Sequence, residues 1–95
     1  MKKYEITFIT RPDIDEKAQE QIFKDMKKVL TDKKAKIEEE KAIGQKELAY
    51  EMNKFNTGFY YSLVVEASSE AVSEFDRIAK LNENIIRSLI IKVEK

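Results

Sequence analysis

Two stretches of this chain repeat apolar residues every three or four positions, and strand-like stretches flank each of them. That succession of periods limits the fold more than any single residue does. In the first helical stretch Ile14, Ala18, Ile22, Met26, Val29 and Leu30 form one stripe, and in the second Val72, Phe75, Ile78 and Ala79 form another. Each helix therefore has one apolar side to bury. Before the first, Tyr4, Ile6 and Phe8 alternate with Glu5 and Thr7, the period of a strand. Between the two helices lie extended patterns over residues 35 to 43, 47 to 52 and 58 to 67, and a last one runs from 85 to 93.

Local signals set the expected joints. Arg11 and Pro12 end the first strand, Asp13 is the expected cap of the first helix, and Glu16 three residues later completes a capping box. The helix is expected to end between residues 32 and 34, where Lys34 occupies a position that glycine usually takes, so that end should be strained or frayed. Gly44 predicts a bend or bulge between two extended pieces, and residues 53 to 58, "NKFNTG", predict a hairpin turn. Ser69 is the expected cap of the second helix, which Asn82 and Asn84 close.

The order is strand, helix, strand, strand, helix, strand. Right-handed crossovers let both helices pack on one face of a four-stranded antiparallel sheet. The expected fold is therefore α+β, a ferredoxin-like plait with its second sheet face left open.

The chain has 95 residues, 42% of them hydrophobic and 38% charged, enough for one domain over 1 to 95 with a single modest core. No apolar run is long enough to cross a bilayer, and the amino terminus passes directly into a strand pattern, so a cytoplasmic protein with no membrane partner is expected. Cysteine and histidine are both absent. Thiolate chemistry, disulfides, the commonest general base and the commonest zinc ligands are thereby removed. Glu38, Glu39 and Glu40 would alternate faces in a strand and cannot converge on a metal. Ser62, Ser68, Ser69 and Ser73 have no histidine base, and two glycines make no phosphate loop. An acylphosphatase-like enzyme using Arg11 and Asn53 would suit the fold, but the loop before the first helix lacks the glycines that would wrap a phosphate. Neither catalytic residue, metal, cofactor nor small-molecule substrate is expected.

Formal charge is zero, with 18 basic and 18 acidic residues, so any contact with nucleic acid must be local. "TGFYYSLVV" lacks the basic residue and the spaced aromatics of an RNA-recognition motif. The same stretch shows a different property. Phe59, Tyr61, Leu63, Val65 and Ala67 form the expected core side, while Tyr60 and Val64 point the other way, joined by Ile9 and by apolar residues of the last strand. Large apolar groups on an open sheet face mark a candidate partner surface. A regulatory domain that binds a small ligand and dimerises through its sheet would use the same plait.

"KKYEITFITRPDIDE", "LAYEMNKFNTGFYY" and "EFDRIAKLNENIIRSLIIK", in this order and spacing, resemble the bacterial small-subunit ribosomal protein six family over essentially the whole chain. That resemblance implies a non-enzymatic constituent of the small ribosomal subunit platform. It implies binding of small-subunit ribosomal RNA during assembly, as a heterodimer with ribosomal protein eighteen. Carried over by position, Lys2 and Lys3 match the basic amino terminus, Lys54 the hairpin and Arg87 the basic position before the last strand. These four are the expected RNA-binding residues. Tyr50, Tyr60 and Val64 are the expected contact with the partner protein. Lys46 is kept, but Glu47 stands where the family usually has a second positive charge.

Overall fold

The computed structural model describes residues 2–52 and 54–93, and the side chains of residues 49–52 lie outside that description. Six elements follow one another: β1 (Lys2–Thr10), α1 (Glu16–Asp32), β2 (Lys36–Met52), β3 (Phe55–Ala67), α2 (Ser69–Leu81) and β4 (Ile85–Lys92). They form one sheet in the order β2-β3-β1-β4, with every neighbouring pair antiparallel. β3 and β1 hold the two central positions, and the helix-facing side of β1 is wholly apolar from Tyr4 to Phe8. Ile6, Phe8 and Ile9 are all buried.

Both helices press their stripes on one face of this sheet. Ile22, Met26 and Leu30 of α1 and Ala71, Phe75 and Ala79 of α2 meet Ile6 and Phe8 of β1 and Tyr61, Leu63, Val65 and Ala67 of β3. The Phe8 ring stacks on Tyr61 at 5.2 Å between centroids and lies tilted to Phe75 at 6.0 Å, so one aromatic side chain ties β3 to α2. The Tyr61 hydroxyl donates to Gln19 Oε1 across 3.3 Å, which gives the buried phenol a partner on α1.

Both helix caps differ from expectation by a residue or two. Asp15, not Asp13, caps α1, its carboxylate accepting from the Ala18 amide at 2.7 Å. Asp13 is instead held by Arg11 through two hydrogen bonds of 2.9 and 3.0 Å. Ser68, not Ser69, caps α2 and accepts from the Ala71 amide. At the other end of α1, Lys34 has a φ of 66°, the left-handed conformation that glycine adopts without cost. The end is strained but closed. Its amide donates to the Thr31 carbonyl and the Ala35 amide to the Leu30 carbonyl, each at 3.0 Å, the pair of bonds that terminates a helix in a Schellman motif.

β2 is one strand of 17 residues and not two pieces. Its pairing with β3 slips at three places, one of them between Ala42 and Gly44, where Gly44 has a φ of 107°. The expected turn over 53 to 58 is also shorter, since Met52 already pairs with Phe55 and Lys54 takes the left-handed backbone at φ 70°. Gly58 lies inside β3, where close packing needs it and no turn does: a Cβ there would collide with Ile9 Cγ2 and approach the Thr10 carbonyl oxygen to 3.0 Å.

Candidate functional site

Residues directly opposite each other in an antiparallel pair share a face, so the registers define what the helix-free face presents. Three rows cross β3, β1 and β4: Tyr60, Ile9 and Arg87; Ser62, Thr7 and Leu89; Val64, Glu5 and Ile91. Ile9 is buried although no helix covers this side, because it fits over the bare backbone of Gly58. Tyr60 and Val64 are half-buried on this face, and the Tyr50 side chain lies outside the described residues. Leu89 and Ile91 are 44% and 59% exposed on the same face. They extend the apolar surface to the edge strand β4. The sequence reading found apolar groups on both sides of this strand but did not select these two, since three consecutive apolar residues do not say which face each one takes.

The four expected RNA-binding cations do not form one patch. Lys2 and Lys3 are adjacent in β1 and open to opposite faces. Lys3 lies on the helix-free side, with its Nζ 3.1 Å from Glu38 Oε1. The hydrogen bond from Lys3, with a further one involving Glu66, holds the Glu38 carboxyl below its ordinary 4.5. Lys2 opens instead to the helix side, where with Tyr4, Ser68, Ser69 and Lys92 it lines a cleft of about 440 Å³. Contact with the Lys2 amine, and then its like charge, lowers Lys92 from 10.5.

Lys54 and Arg87 lie at the other end of the sheet. Arg87 pairs with Ile9, six positions from Lys3 along β1, a separation of roughly 20 Å at the usual strand rise. Lys54 stands at the hairpin and lines a cleft of about 590 Å³ with Arg11, Phe55, Glu83 and Ile86. The guanidinium carbon of Arg11 is 5.2 Å from the centroid of the Phe55 ring. Asp13 and Phe55 thus engage the residue that a phosphatase reading would have used for substrate. Strict alternation would put Glu38 and Glu40 on one face, but the pairing of β2 slips between Ile37 and Glu39, and the two separate: Glu38 meets Lys3, whereas Glu40 meets Lys27 of α1 at 3.1 Å. Among the described residues no group of three or more acidic residues could hold a metal ion.

The family model for ribosomal protein S6 matches residues 3–92. The chain belongs to the ribosomal protein S6 family. It is 47% identical to small ribosomal subunit protein bS6 of Shouchella clausii and 44% identical to that of Halalkalibacterium halodurans, over 95 residues and the full length of both proteins in each case. The crystal structure of 30S ribosomal protein S6 from Thermotoga maritima superposes with a TM-score of 0.92 at 27% identity, covering 97% of this chain and 87% of that one. The ribosomal protein S6 family is one of ribosomal proteins and not of enzymes. Its plait supplies the frame on which the apolar face and the two separated cationic ends are set. No helix among the described residues is long and apolar enough to cross a membrane.

Proposed function

We propose that this S6-family protein is a cytoplasmic structural constituent of the small ribosomal subunit platform, binding small-subunit ribosomal RNA as a heterodimer with ribosomal protein eighteen. The observation that carries the reading is the helix-free sheet face. A chain matched nearly end to end by a ribosomal family keeps Tyr60, Val64, Leu89 and Ile91 on an uncovered surface, with cations beyond each end of it. Leaving such apolar area in water forgoes about 25 cal/mol per Å².

In this reading Tyr50, Tyr60 and Val64 meet the partner protein, and Lys2, Lys3, Lys54 and Arg87 meet phosphates. The two cationic ends sit too far apart to share one phosphate, which suits a long, irregular RNA surface. A net charge of zero suits it too, since the partner brings additional positive charge and the S6-family chain orients it.

Labelled small-subunit ribosomal RNA, titrated at several salt concentrations with each protein alone and with both, tests the proposal. Tight, salt-sensitive binding with the mixture, and weak binding with this chain alone, is the expected result. Absence of association between the two proteins, together with absence of joint RNA binding, would leave the homodimeric ligand-binding alternative.

A further inference from the structure

The cleft at the hairpin end has a composition that phosphate contact alone does not use. Arg11 is held in place on two sides: Asp13 receives both its Nε and an Nη, at 3.0 and 2.9 Å, and Phe55 lies beneath it at 5.2 Å. A guanidinium fixed at both its edge and one face cannot turn to follow a mobile phosphate, yet its side chain remains 35% exposed. Beside it the cleft is walled by Ile86, with Lys54 and Glu83 completing its lining. An apolar wall, a planar cation seated on an aromatic ring, one ammonium and one carboxylate match the separate parts of a nucleotide.

We infer that this cleft takes one unpaired nucleotide of the bound RNA. The base stacks on the Arg11–Phe55 pair and against Ile86, since aromatic rings and guanidinium planes are the groups on which splayed RNA bases stack. Lys54, which lines the same cleft from the hairpin, meets the phosphate. Glu83 accepts a hydrogen bond from an exocyclic amine, so adenine, cytosine or guanine is favoured over uracil, which presents carbonyl oxygens in those positions. Asp13, remote from the ligand in this arrangement, is a positioning residue for the guanidinium.

The inference rests on the RNA-binding reading above and names its nucleotide-level contact. The test uses the full chain with ribosomal protein eighteen and small-subunit ribosomal RNA. Phe55→Leu keeps an apolar side chain and removes the ring; its affinity should fall by about five- to 150-fold, the range base stacking contributes, with the salt slope unchanged. Phe55→Tyr should restore wild-type affinity, which a general loss of folding at this position would not predict. Lys54→Ala should instead shallow the salt slope by about one phosphate contact. Brief ultraviolet irradiation of the wild-type complex should join an RNA nucleotide to the peptide that contains Phe55. Wild-type affinity in Phe55→Leu, with no cross-link at that peptide, would overturn the stacking site while leaving RNA binding intact. If the wild-type pair binds no RNA, the broader reading falls and takes this one with it.

Discussion

Gly58 and Ile9 occupy one another's space across the two central strands: the Ile9 side chain rests where a Cβ on residue 58 would be. The contact buries an isoleucine on a face that has no helix to cover it. Gly58→Ala should therefore destabilise by overpacking, about 1–3 kcal/mol, even though the glycine backbone is not in the left-handed region. Urea unfolding should show a lower midpoint with an unchanged m value. Ile9→Ala removes the Cγ2 that a Cβ at residue 58 would meet, so the double substitution Gly58→Ala with Ile9→Ala should cost less than the sum of the two single substitutions.

Lys34 stands in the left-handed position of a fully bonded Schellman motif. Lys34→Gly should stabilise by about 0.5–1 kcal/mol, the relief of a Cβ in that conformation being partly offset by greater freedom of the unfolded chain. Thermal unfolding should report a rise of a few degrees. A lower melting temperature would mean that the lysine side chain contributes something the backbone argument omits.

Thr10 is completely buried, and its hydroxyl makes no hydrogen bond among the described residues. A buried hydroxyl without a partner costs on the order of 1–3 kcal/mol. Thr10→Val, which preserves shape, should be neutral or stabilising in denaturant unfolding. A loss above about 1 kcal/mol would point to a water-mediated partner.

Glu38 should titrate below 4.5 in carbon-detected NMR spectra, and Lys3→Met should move its midpoint upward. The sign for stability follows. A carboxylate whose folded pKa is depressed stabilises the fold above its unfolded pKa, and that contribution is lost as pH falls through the folded value. Both groups are accessible to solvent, so the effect should shrink in high salt.

Tyr60→Ala and Lys54→Ala should separate the two proposed interactions. The first should weaken association with ribosomal protein eighteen by tenfold or more, as loss of a central aromatic does. The second should leave that association unchanged and reduce the salt dependence of RNA binding by the joint complex, by a slope of about 0.7–0.9. Equal behaviour of the two variants in both assays would refute the division of labour.

Element order and the buried sides of α1, α2 and β3 were legible because burial enforces periodicity, and Ile22, Met26, Phe75, Leu63 and Val65 all lie where the spacing puts them. The caps were less legible. Asp13 and Asp15 are both competent cap residues, and only the tertiary placement of Arg11, which claims Asp13, decides between them. The hairpin was overestimated for a similar reason: Gly58 was read as a turn former, whereas its meaning lies 49 positions away at Ile9. For the proposed contact residues Tyr60 and Val64, the sheet face followed from alternation. The Arg11–Phe55 contact could not, because nothing in either local segment announces a partner 44 positions distant.

Placing β1 at the centre of the sheet sets the order of events in folding. Its neighbours are distant in the chain: Phe8 waits for Tyr61, and Ile6 waits for Ile90. The β2–β3 hairpin closes through a short loop, but each seam along β1 needs a long one, with the larger entropy of closure that slows such topologies. Until β3 and β4 arrive, β1 has two bare edges. A partner that needs the helix-free face therefore meets a surface that is complete only once β4 has docked on β1.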